Sequence, residues 1–196
     1  KNHNFRGSFQ TGFRNPSTQD QYIGFDIGSR VLIGSAPDNL SRFTEVRGDN
    51  INGSGVISDY GINVLGATTK TLTGVDAYTN SFTEESYLIF DAAYRSGPPS
   101  GLANAATNLV RADVDLVKPE FVRAFDLGYR GNMKGFSIDV NGYYNIYNDF
   151  IGGFNVVTPY YGTAVTNPDI LTNTSANALA NRDLRTYQVY TNTDAE

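Results

Sequence analysis

Two tyrosines four residues apart, Tyr143 and Tyr147, are placed for the chemistry of binding rather than of bond-making. Both fall on the polar side of an alternating run, where a phenol ring can stack on a sugar or a chelate while its hydroxyl hydrogen-bonds at the edge. Arg14 closes a second such run and offers an anionic ligand a planar fork of donors. In the connecting segments, Tyr22, Tyr60, Tyr78, Tyr160 and Tyr161 combine large contact area with a polar tip, which suits them to meet a ligand or a covering protein.

Groups for bond-making are scarce. His3 is the only histidine and cysteine is absent, so histidine triads, thiol nucleophiles and thiolate or multi-histidine metal sites have no basis. Asp49-Asn50-Ile51-Asn52-Gly53 resembles a calcium loop, but Ile51 stands where an oxygen ligand is required, so the segment reads as a turn. Ser54 between Gly53 and Gly55 lacks the spacing of a nucleophile elbow, and Gly66 to Lys70 lacks that of a phosphate-binding loop. We therefore expect no enzyme, no metal and no cofactor.

Charge and composition narrow the class. Fifteen basic and 20 acidic residues give a net charge of −5, scattered rather than striped, which argues against nucleic acid as a partner. At 196 residues the chain is long enough to bury a core of its own. No apolar run reaches the ~18 residues of a transmembrane helix, but membrane-spanning strands escape such a test because every second residue is polar. Thirteen Tyr, 12 Phe and 20 Gly without a single Trp favour β-structure with many turns.

The strands that must carry these residues are legible as alternation. From Phe136 to Phe150, the residues Phe136, Ile138, Val140, Gly142, Tyr144, Ile146 and Phe150 share one parity, against Ser137, Asp139, Asn141, Tyr143, Asn145, Tyr147 and Asp149. A strand of about fifteen residues, tilted by about 45°, rises roughly 35 Å, enough to cross a bilayer. Tyr144 and Phe150 then belong to an aromatic girdle at the membrane-water interface. Glu120 to Arg130 places Phe121, Phe125, Leu127 and Tyr129 on one face, interrupted by Arg123, which can snorkel to the headgroups. Phe5, Phe9 and Phe13 oppose Arg6, Ser8, Gln10 and Arg14 before Asn15-Pro16-Ser17 ends the run.

The pattern predicts an all-β fold, a partial antiparallel transmembrane β-barrel of about four strands in two hairpins. The strands cover about 4–14, 119–130, 136–150 and 186–196, with a short periplasmic turn at 131–135. Long extracellular loops fill about 15–118 and 151–185. Ser81-Phe82-Thr83-Glu84 reads as a capping box opening a helix over Glu85 to Tyr94, and Pro168 to Leu179 is a second helical candidate. The first and last strands read as interrupted, which predicts that the barrel continues beyond both ends.

The strings NFRGSFQTGFRNPSTQDQY, LVKPEFVRAFDLGYRG and GFSIDVNGYYNIYNDFIGG resemble the barrel of TonB-dependent outer-membrane receptors. The matching positions are Gly12 to Ser17, Lys118 to Glu120 and Gly128 to Gly131, in the family's order, and a loop the size of Gln21 to Asp115 suits the larger, SusC-like receptors. The resemblance implies import of a scarce nutrient across the outer membrane of a Gram-negative cell: an iron chelate, a vitamin, an oligosaccharide or a peptide. TonB supplies the energy, through a plug domain that this chain does not contain. Tyr143 and Tyr147 would face the lumen and pack on ligand or plug, and Arg14 would pair with a plug carboxylate. Outer-membrane lipid would cover the outside, and a surface lipoprotein lid could meet the loops. Two other readings fit parts of the sequence: a soluble β-sandwich module binding carbohydrate, and a non-transporting barrel component of a surface assembly. The sandwich requires Phe136, Ile138 and Val140 to be buried between two sheets.

Overall fold

A computed structural model describes residues 3–47, 70–97, 101–164 and 174–193. Its described part is mostly β, 48% strand and 27% helix, and none of its sheets closes into a barrel. The calcium-like segment, Ser54 and Tyr60 lie outside the described residues.

The long alternating runs form one three-stranded antiparallel sheet in the order β1 (His3–Arg14), β7 (Glu120–Met133), β8 (Phe136–Asn148). Register decides what it can do. Phe9 pairs with Phe125 and Phe125 with Tyr144; Phe5 pairs with Tyr129 and Tyr129 with Val140. Because side chains alternate along each strand, aligned apolar parities put every apolar row on the same face. That face is bare: Phe5 is 78% exposed, Leu127 74%, Phe136 64% and Val140 58%. Among the described residues no second sheet packs on it, and Phe136 and Val140 are exposed rather than buried between sheets.

The turn between β7 and β8 is tighter than expected. Strand pairing runs down to Met133 and Phe136, and only Lys134 and Gly135 turn the chain, both at positive φ (33° and 89°). A two-residue turn of that hand matches the twist of a hairpin.

At the other end the expectation needs correcting. Strand 136–150 is not continuous: Asp149 takes a positive φ of 57° and ends β8. Phe150 begins β9 (Phe150–Pro159), which pairs with β10 (Leu184–Thr193) in a different sheet, so Phe150 does not share a row with Tyr144.

Neither long connection is a bare loop. Together they build a second folded unit around a five-stranded sheet, β2 (Gly24–Asp26), β3 (Val31–Ile33), β10, β9, β6 (Phe82–Thr83), with β10 parallel to β3. A two-stranded ladder joins β4 (Thr44–Arg47) to β5 (Lys70–Thr73). Six helices complete the described structure: α1 (Thr18–Tyr22), α2 (Pro37–Arg42), α3 (Gly74–Thr79), α4 (Glu84–Ser96), α5 (Gly101–Ala106) and α6 (Thr174–Ala180). The described fold is therefore mostly β, as the alternation predicts, with the helices confined to these connections.

Strand β9 is why this unit has a core. Val157 packs with Phe82, Phe90 and Leu179 in one cluster, while Val156 packs with Val31, Ile33 and Tyr187 in another. A strand covered on both faces carries a continuous apolar run instead of alternation, and Val156-Val157 supplies it. Helix α4 is capped by Thr83, whose side chain accepts from Ser86 N at 3.2 Å. Ser81, expected as that cap, instead donates to Ala77 O at 2.7 Å. Full capping boxes occur at Ser17/Asp20 on α1 and Thr73/Asp76 on α3.

Candidate functional site

The second face of the three-stranded sheet is polar throughout its middle. Ser8, Asp126 and Tyr143 form one row, Arg6, Gly128 and Asn141 the next. Ser8 Oγ donates to Asp126 Oδ2 at 3.1 Å, and Arg6 donates to Asn141 Oδ1 across the strand between them. Gly128 permits that bridge, since a β-carbon there would collide with the Arg6 and Asn141 side chains. The result is a shallow hollow of about 320 Å³ with Arg6, Ser8, Asp126, Asn141 and Tyr143 on its rim.

Tyr143 is 79% exposed, and its hydroxyl has no hydrogen-bond partner among the described residues. Tyr147 lies on the same face, beside Val122 and Gly12, and is also exposed. A free aromatic plane beside a carboxylate, an amide and a guanidinium can stack on a polar molecule and hydrogen-bond its edges. The sequence did not single out Arg6, Ser8, Asp126 or Asn141 as site residues. Their parity with Tyr143 was the available signal, but only the register brings them together.

The other candidates separate into free and committed groups. Arg14 and Glu120 are register partners, and the guanidinium fork grips the carboxylate at 2.6 and 2.8 Å. Tyr22 is half exposed at the end of α1. Tyr160 is 5% exposed and packs with Leu72, while Tyr161 donates to Asp183 Oδ2 at 2.7 Å. Tyr78 is buried and donates to Tyr190 O at 2.7 Å; burial raises its pKa far above the ordinary tyrosine value. These last three serve the core of the second unit, and no ligand can reach the Tyr160 or Tyr78 ring without unpacking it. His3 Nδ1 lies 2.7 Å from the Tyr129 hydroxyl at the opposite end of the sheet.

A wider hollow of about 640 Å³ lies on the second unit, with Glu84, Glu85 and Ile89 of α4 along one wall and Val110, Phe154 and Asn155 along the other. Among the described residues, no group of three or more His, Cys, Asp or Glu side chains is arranged to hold a metal, and no helix is long and apolar enough to cross a membrane. Comparison with family models, curated proteins and solved structures found no match for this chain.

Proposed function

We propose that β1, β7 and β8 are part of the wall of an outer-membrane β-barrel, and that the protein imports a scarce nutrient as a TonB-dependent receptor does. One observation supports the first part above all: a sheet of strands 12 to 14 residues long is apolar on one uncovered face and polar on the other. Leaving each large apolar side chain in water rather than burying it costs about 1.5–3 kcal/mol. On the order of ten such side chains on one face would then outweigh the whole net stability of a typical domain, about 5–15 kcal/mol. Hydrocarbon removes that cost. Strands of this length, tilted by about 45°, rise roughly 30 Å.

The receptor class is supported by the three motifs that resemble TonB-dependent receptors and by where they fall. The run ending in Arg14 and the one opening at Glu120 meet in an ion pair at the outer end of the sheet, beneath a large folded outer unit. In this reading the hollow beside Tyr143 faces the lumen, lipid covers the apolar face, and a plug carried elsewhere couples the barrel to TonB.

Disrupting the gene and measuring growth on single iron chelates, vitamins, oligosaccharides and peptides tests the import reading. Loss of uptake of one nutrient class, restored by the intact gene but not in cells lacking TonB, is the expected result. Unchanged growth on every source would favour a barrel that serves a surface assembly without transport.

A further inference from the structure

Arg123 is the one charged side chain on the apolar face of the β1-β7-β8 sheet, and it is exposed. It has neither an ion pair nor a hydrogen bond among the described residues. Its position shows why. Strand β7 is the middle strand, so its neighbours in the sheet are already filled: Thr11 of β1 on one side and Ile146 of β8 on the other. Along its own strand stand Phe121 and Phe125, and the diagonal places belong to Phe9, Phe13, Tyr144 and Asn148. None carries a negative charge.

Depth fixes the surroundings. Arg123 lies ten residues above Met133, the base of the apolar face, which at ~3.3 Å per residue is about 33 Å of strand. A tilt of about 45° makes that roughly 23 Å along the membrane normal, close to the ~25 Å height of the apolar band of a barrel. A guanidinium there stands at the outer hydrocarbon-headgroup boundary. Below it the Phe9 and Phe125 rings lie 4.9 Å apart, centroid to centroid, and give acyl chains an apolar surface to follow.

We infer that Arg123 is a binding site for the phosphate of an anionic lipid headgroup in the outer leaflet. The guanidinium offers the bidentate fork that phosphate oxygens accept. Thr11 adds a hydroxyl beside it, and the aromatic rows hold the acyl chains. A partnerless cation on a face that must otherwise be uncharged calls for an anion supplied by the membrane. This inference rests on the sheet being membrane-spanning.

The test reconstitutes the protein with its complete barrel in phosphatidylcholine vesicles doped with phosphatidate, extracts it in neutral detergent and weighs the bound lipid by native mass spectrometry. The wild type should retain phosphatidate over phosphatidylcholine. R123Q should weaken that retention about tenfold, and R123K should keep part of it because the charge remains without the fork. Excess inorganic phosphate should not displace the lipid, since a free anion lacks acyl chains. Equal retention by wild type and R123Q, with both inserted, overturns the lipid site alone, and so does displacement by inorganic phosphate. Failure of both proteins to enter vesicles overturns the membrane reading and the lipid site with it.

Discussion

Arg14 and Glu120, 106 positions apart in sequence, face each other where β1 ends and β7 begins, with Nε to Oε2 at 2.6 Å and Nη2 to Oε1 at 2.8 Å. Glu120 Oε1 also accepts from the backbone N–H of Ile151 at 2.7 Å, so one carboxylate ties β1, β7 and the start of β9 together. The Glu120 side chain is only 10% exposed. Glu120→Ala therefore leaves a guanidinium and a buried amide without their acceptor and should cost about 2–3 kcal/mol. Arg14→Lys keeps the charge but loses the two-pronged geometry, and should cost about 1 kcal/mol. Urea unfolding of both variants in detergent, followed by near-ultraviolet circular dichroism, checks the order.

The junction between this sheet and the second unit holds a second clamp. Asn192 Oδ1 accepts from Lys118 N at 2.6 Å, and its Nδ2 donates to Lys118 O at 3.0 Å and to Asp149 O. One side chain thus joins the approach to β7, the bend after β8 and the end of β10. Asn192→Ala should speed amide exchange at Lys118 by about tenfold, because that N–H loses its only acceptor among the described residues. Exchange within the middle of β7 should not change. Equal acceleration along the whole of β7 would mean that Asn192 supports the sheet itself rather than its junction with the second unit.

What was legible in the sequence follows from how each strand is buried. β1, β7 and β8 are read from alternation because one face is apolar and the other polar, and their limits fall close to the expected ones. β9 escaped because Val156 and Val157 point into two different clusters, which erases the period of two. β2, β3 and β6 are two or three residues long, too short to show any period. The break after β8 depends on one backbone angle at Asp149, which no side-chain pattern reports. For the site, parity assigned Tyr143 and Tyr147 to the polar face, but their neighbours depend on the β1-β7-β8 register. Tyr160 and Tyr161, adjacent to β9, were read as exposed loop residues because β9 itself was not seen.

Gly34 carries a prediction about the second unit alone. A β-carbon on it would run into the backbone of Gln21 and Tyr22, where Ala36 N also bonds to Gln21 O at 2.9 Å. Backbone cannot swing aside as a side chain can, so Gly34→Ala should destabilise this packing by about 2 kcal/mol or more. Limited proteolysis should then cut the second unit while β1, β7 and β8 stay protected. Protection equal to wild type throughout would show that the two segments can separate at little cost.

Exposed and buried tyrosines should behave differently on replacement by alanine. Tyr143→Ala removes an aromatic plane from the polar hollow without opening a core, and should raise the half-saturating nutrient concentration about fivefold or more, a stacking contact being worth roughly 1 kcal/mol. The amount of protein in the membrane should not fall. Tyr160→Ala instead empties a packed position beside Leu72 and should cost about 3 kcal/mol, lowering protein abundance. Uptake kinetics normalised to the quantity of protein separate the two effects. Should Tyr143→Ala change neither saturation nor maximal rate, the hollow does not touch the nutrient.

The two faces of the sheet give the sharpest test of the membrane reading. Leu127 lies on the apolar face near mid-height, between Gly7 and Gly142, while Asn145 lies on the polar face beside Ala124. Both accept a longer side chain without disturbing a hydrogen bond among the described residues. In a bilayer, Leu127→Lys places an ammonium in hydrocarbon and should cost about 2–4 kcal/mol of folding into vesicles. Asn145→Lys points the same charge into a wet lumen and should cost under about 0.5 kcal/mol. A soluble protein with a bare apolar face predicts the reverse for Leu127, since lysine there would raise solubility. Folding yield into vesicles, read from heat-modifiable migration on gels, distinguishes the outcomes: equal yields for the two variants are incompatible with lipid on the Leu127 face.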